Sequence, residues 1–172
     1  MRTSKEFFTV RIANRKDLPT ISRLKLELDR FHEDMPIWPP ESDLKEARRS
    51  ISKHMKKEKC FVAISPENEI VGFTTARLTK RETVHSGYRR VGEIGFLYVK
   101  EDQRRHNVGQ HLVSACINFF EKKGIEHVTT RSVVYNKIAD RFWNKLSFQP
   151  AIYVRSTTVG KVKQKLRELH SM

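Results

Sequence analysis

Two groups of residues in this chain have the types and spacing to do chemistry. The first is Gln103-Arg104-Arg105-His106-Asn107-Val108-Gly109-Gln110-His111-Leu112, set between an apolar run, Ile94 to Val99, and a strongly periodic helical segment. A basic, glycine-containing turn that enters a helix is suited to hold a phosphate. The first N–H groups of the helix have no internal acceptor, the dipole there is positive, and Gly109 lets backbone come close to a ligand. Asn107 tolerates a left-handed backbone better than other non-glycine residues. The second is Glu93, the single acid at the head of that apolar run. Partial burial of such a carboxylate favours proton uptake near neutral pH, which is what a general base needs. The plainer alternatives are an ordinary turn and a salt-bridged glutamate.

A further segment follows in order: Asn136-Lys137-Ile138-Ala139-Asp140-Arg141-Phe142-Trp143-Asn144-Lys145-Leu146-Ser147-Phe148. Taken with Arg104-x-x-Asn107-x-Gly109, it resembles the GNAT superfamily of N-acetyltransferases, most densely from about Gly92 to Phe148. The resemblance implies acetyl-CoA as acyl donor and a primary amine as acceptor, on a small molecule or a protein, with direct attack in a ternary complex. It further implies that Arg104, Arg105, Asn107, Val108, Gly109 and Gln110 cradle the pyrophosphate. The strand at Leu97 and Val99 would line the cofactor, a backbone N–H near Leu97 or Tyr98 would hold the oxyanion, and Asn136 would bond the pantetheine arm. Glu93 stands where histone-acetylating members carry their base. The family's late-helix tyrosine, its usual general acid, is here Trp143. Indole cannot protonate a thiolate, so Trp143 becomes a wall for the cofactor or part of the core, and Tyr135, Tyr98 or water takes the acid role.

An amine of pKa about 10.4 is neutral only about one part in a few thousand at pH 7, a penalty of about 4–5 kcal/mol. A base therefore matters more than an acid. The acceptor is expected near Asp29, Glu33 and Asp34, an acidic cluster on a basic background that either attracts a cation or is a solvated helix end. The seven histidines show no metal-ligand spacing.

These residues must be positioned by one domain, 1–172, with a core of about 7–158 and a basic tail at 159–172; no linker or repeat divides the 172 residues. Phe7 to Ile12 reads as a strand, and Asp17 as the cap of a helix with stripe Ile21, Leu24, Leu28, Phe31. Pro36, Pro39 and Pro40 interrupt, and Asp43 then opens a second helix carrying Ala47, Ile51 and Met55. Strands are expected at Cys60–Ile64, Glu69–Leu78, Val128–Val134 and Phe148–Thr157, and helices from Val108 to Gly124 and from Asn136 to Leu146. The order β-α-α-β-β-β-α-β-α-β predicts an α/β fold, a mixed and mostly antiparallel sheet with helices on both faces. Val159, Val162, Leu166 and Leu169 predict an amphipathic helix that packs on the domain or on a second copy in a homodimer.

Cys60 and Cys116, in apolar contexts, read as reduced core thiols of a cytoplasmic protein. No apolar run approaches membrane-spanning length, and Met1 to Lys5 offers no signal-peptide region. The net charge of +14 and pI near 10 raise nucleic-acid binding. The basic residues are scattered along the chain with few aromatics between them, so nucleic acid is not the expected partner, and the charge is read as steering a polyanionic cofactor. A CoA-binding sensor without catalysis, suggested by Trp143 and Asn107, is the main alternative function.

Overall fold

In a computed structural model, residues 8–33, 35, 43–80, 90–151, 155 and 157–170 are described. β1 (Thr9–Ile12) leads into a single 3-10 turn, Arg15–Asp17, and then α1 (Leu18–Glu33). The cap is Asn14 and not Asp17: the Asn14 side chain accepts from Lys16 N–H, while Asp17 returns a bond to Asn14 N–H at 2.7 Å. Asp17 is drawn into the box because its carboxylate also accepts from Arg11 at 2.7 and 2.9 Å. α2 (Leu44–Lys57) starts as expected, with Asp43 accepting from Glu46 N–H at 2.7 Å. Pro36, Pro39 and Pro40 lie outside the described residues.

β2 (Lys59–Ile64), β3 (Ile70–Lys80), β4 (Arg90–Val99) and β5 (Val128–Thr130) complete a five-stranded sheet in the order β1-β2-β3-β4-β5. All pairs are antiparallel except β4 with β5. Side chains alternate across a strand. On β2, Cys60, Val62 and Ile64 therefore join Ile21, Leu24 and Ile51 under α1 and α2. Phe61 and Ala63 point the other way, onto α3 (Val108–Glu121) with Val108, Leu112, Cys116 and Phe120. This is an α/β fold with a mixed, mostly antiparallel sheet and helices on both faces.

α4 (Lys137–Lys145) packs on the α3 side through Trp143 and Phe142. β5 ends at Thr130, four residues short of the expected Val134, because β4 gives it a ladder only from Gly92 to Ile94. The expected last strand, Phe148–Thr157, falls partly on residues outside the description; Phe148 itself packs against the α3-side core. α5 (Val159–His170) forms as the periodicity predicts, yet its stripe is exposed, with Val159 72% and Leu169 57% accessible. The helix does not bury that stripe on the described part of the domain. Among the described residues, no helix is long and apolar enough to cross a membrane.

Candidate active site

The site is organised by a fault in the sheet. Between Ile94 and Leu97, β4 carries two residues, Gly95 and Phe96, opposite the single Thr75 of β3. The bulge reverses which parity of residue faces which layer. Ile94 lies in the α3-side core, whereas Phe96 and Tyr98 lie on the α1/α2 side and Leu97 and Val99 on the α3 side. Thr75 sets the bulge: its Oγ1 accepts from Phe96 N–H at 3.0 Å. A Cβ on residue 95 would stand 2.5 Å from that oxygen, so glycine is required there.

Past the bulge β4 and β5 part. Lys100 N–H donates to Val71 C=O, and the register runs Phe73↔Tyr98 and Gly72↔Val99. In an antiparallel ladder alternate residues bond inward and outward. The peptide groups of Leu97 and Val99 therefore face away from β3, into the opening that β5 leaves. Arg104 reports this directly, because its Nε–H donates to Val99 C=O at 3.1 Å. Its guanidinium lies 5.6 Å from the Phe31 ring centroid and 5.7 Å from that of Tyr98.

The turn itself consists of a 3-10 segment, Glu101–Gln103, an extended Arg104, and then left-handed Arg105 (φ 68°) and Asn107 (φ 63°). Asn107 occupies the N-cap of α3 without a side-chain cap bond, and the helical ladder begins with His111 N–H to Asn107 C=O. The N–H groups of Val108, Gly109 and Gln110 thus have no acceptor within the helix, the arrangement that receives an anion. Gly109 has a packing reason beside the close ligand approach expected of it. An added Cβ would meet the Phe142 ring at 3.2 Å, so the glycine admits α4 against α3.

Glu93 is buried, and both of its oxygens lie 2.8 Å from Arg77 Nη2. Arg131 stands 3.7 Å away, and Arg77 also reaches Glu58 at 3.9 Å, which in turn meets His54 Nδ1 at 2.9 Å. Tyr98 donates its O–H to Glu27 at 3.0 Å; burial, and then the Glu27 carboxylate, push its pKa up to about 12. Asn136 caps α4 by accepting from Ala139 N–H, and its Nδ2 lies 3.2 Å from His32 Nε2. Tyr135, in the turn before α4, is 52% exposed. Trp143 is buried between Phe142 and Phe148, each ring centroid 5.0 Å away in edge geometry.

The expected acidic cluster is not assembled as a cluster. Asp29 is buried and binds Lys25 Nζ, which also lies over the Phe96 ring at 4.6 Å. Glu33 is exposed, and Asp34 lies outside the described residues. Cys60 and Cys116 are buried free thiols whose pKa burial pushes up to about 12. Sequence reasoning missed Arg77, Thr75, His32 and Glu27. Cross-strand register brings in Arg77 and Thr75, and contacts of α1 with β4 and with the cap of α4 bring in Glu27 and His32; none of these leaves a mark in linear spacing.

The family model of the GNAT acetyltransferases matches residues 26–148. The chain belongs to the GNAT acetyltransferase family. The match spans the GNAT elements from α1 to Phe148, including the bulge, the phosphate turn and α4. Among solved structures, the fold is similar to that of an aminoglycoside N-acetyltransferase in complex with CoA, at TM-score 0.73 and 15% identity over 89% of this chain and 95% of that one. A putative acetyl transferase from Pyrococcus furiosus gives TM-score 0.72 and 16% identity, covering 89% and 100%. An acetyltransferase from Trypanosoma brucei gives TM-score 0.63 and 21% identity, again over 89% and 100%. None of the curated proteins matches this GNAT sequence.

Proposed function

We propose that this chain transfers the acetyl group of acetyl-CoA to a primary amine by direct attack in a ternary complex. The observation that carries this reading is the adjacency of two features: the unbonded N–H groups of Val108, Gly109 and Gln110, and the parting of β4 from β5 at Leu97 and Val99. The first offers a pyrophosphate seat and the second a slot for an extended thioester arm. The neighbour solved with CoA has the same fold, which supports CoA as the donor here.

Arg104 and Arg105 would add charge at the pyrophosphate; Arg104 must leave Val99 C=O to do so, which also frees that carbonyl for the arm. Leu97 N–H, facing the slot, is the donor we assign to the carbonyl oxygen as negative charge grows on it, a role commonly worth several kcal/mol. Asn136 would offer its amide N–H to the arm. Trp143 supports the slot from behind as packing. Glu93 is assigned as base through water, since Arg77 already covers both of its oxygens, and Tyr135 as the acid that protonates the leaving thiolate.

Free-thiol release from acetyl-CoA over a panel of amines tests the reaction. Glu93→Gln should lower turnover about 10²–10⁴-fold near neutral pH, with the deficit shrinking at high pH as the ammonium deprotonates unaided. Wild-type turnover in that variant at every pH would make Glu93 a structural partner of Arg77. The Arg77–Glu93 pair and Trp143 in place of a tyrosine favour a second reading, a CoA-binding sensor. Tight CoA binding without thiol release across the whole panel would select it.

A further inference from the structure

Helix formation gathers onto one face the cations of a single basic segment, residues 45–57. α2 carries Lys45, Arg48, Arg49, Lys53, Lys56 and Lys57, all exposed, and a single acid, Glu46. Its buried residues are Ala47 and Ile51. At 100° per residue the six cations centre on the side opposite that pair. Lys45, Arg49, Lys53 and Lys57 succeed one another at i, i+4 spacing, about 6 Å apart, along a helix about 20 Å long. A shallow groove of about 300 Å³ is lined by Arg49, Ser52, Lys53, Lys56 and Lys57. The C-terminal end of α2 contacts the candidate active site through residues outside this row, where His54 packs edge-on against Phe96 at 4.8 Å and Glu58 meets Arg77.

We infer that the outer face of α2 is a docking surface for the phosphate backbone of a nucleic acid. Three properties of the face select this partner. The cations repeat at a spacing a polyphosphate chain can follow, and such contacts gain affinity from counterion release without needing any apolar anchor. An acidic protein partner needs buried aliphatic or aromatic hot spots, and apart from Leu44 at its first turn α2 exposes no large apolar side chain. The same lack removes the apolar face that an interfacial membrane helix buries in lipid. The face carries no aromatic residue to stack a base, so binding reads charge and not sequence. This surface is independent of acetyl transfer and stands whether or not the cleft is catalytic.

The test is anisotropy of labelled mixed-sequence 20-base-pair DNA and RNA duplexes against salt, with the full chain. Arg49→Gln/Lys53→Gln/Lys56→Gln should weaken binding to every sequence alike and lower the slope of log affinity on log salt by about three, roughly one per lost phosphate contact. Lys161→Gln/Lys163→Gln/Lys165→Gln on α5 removes the same net charge elsewhere and should keep most of the affinity. Thermal melting confirms that both variants fold. Equal losses in the two variants would reduce the effect to overall charge and overturn the proposal. So would unchanged binding in the α2 variant, or a polyglutamate competitor that matches the duplex charge for charge.

Discussion

His32 Nε2 lies 3.2 Å from Asn136 Nδ2, joining the last turn of α1 to the N-cap of α4. The amide oxygen of Asn136 is already engaged by Ala139 N–H, so the amide presents its N–H to the ring. Two donors cannot share that contact, and Nε2 therefore receives with its lone pair. The ring is neutral, and through it α1 holds the residue assigned to the pantetheine arm.

This contact gives stability a pH dependence. Burial pushes the His32 pKa below its ordinary 6.5, Asp29 opposing and Lys25 reinforcing the shift. As pH falls below about 6.5 the unfolded chain takes up a proton that the folded chain resists. Stability from this source is therefore full above that pH and is lost as the pH falls toward the depressed folded value. His32→Gln, which keeps an acceptor for Asn136, should flatten the acid side of a melting-temperature profile. Parallel profiles for the two proteins would count against a neutral buried ring.

Charge reversal at the exposed turn tests the cofactor seat without disturbing packing. Arg105→Glu should weaken CoA binding about 10–100-fold by calorimetry, the scale of one hydrogen bond to a charged group. The variant should melt like the wild type, since Arg105 lies outside both cores.

Asp29 sits in a buried ion pair with Lys25. Asp29→Ala leaves the Lys25 ammonium buried and unpaired and should cost about 3–5 kcal/mol in urea unfolding. The double change Lys25→Met/Asp29→Leu should recover much of that. A rise in the amine KM for Asp29→Ala with unchanged unfolding would instead place Asp29 at the acceptor.

Trp143→Ala should destabilise by about 3–5 kcal/mol, the usual cost of removing a buried aromatic. Trp143→Phe should lose less and keep CoA binding. If the alanine variant unfolds like the wild type but binds CoA poorly, the indole belongs to the ligand and not to the core.

The helices and most strands could be read from the sequence because each depends on neighbours a few residues away. The Ile21, Leu24, Leu28 stripe, the Asp43 cap and the alternation in Cys60–Ile64 are local signals. The turn before α3 was legible as a candidate anion seat for the same reason: its basic charge, its glycine and its helix start are contiguous. Partners across the sheet were not. Glu93 stood out as a lone acid, but Arg77 is its cross-strand neighbour only through a register that the bulge at Gly95 sets. Asp17 and Gly109 were each given a local role, and the fold adds to each a tertiary contact, with Arg11 and Phe142. Likewise, the shortened β5 reflects what β4 offers it and not the alternation of Val128 to Val134.

The bulge also acts as a reading-frame device for side-chain direction. Closing the bulge with Gly95 retained, so that Phe96 paired with Thr74 and Leu97 with Phe73, would put the chain downstream out of phase by one. Phe96 and Tyr98 would exchange layers with Leu97 and Val99, two aromatic side chains entering a space packed for aliphatic ones. The Leu97 peptide would turn toward β3, and the slot would lose its donor while every residue that lines it remained in the chain. At this point the register of one strand on its neighbour decides what the slot contains.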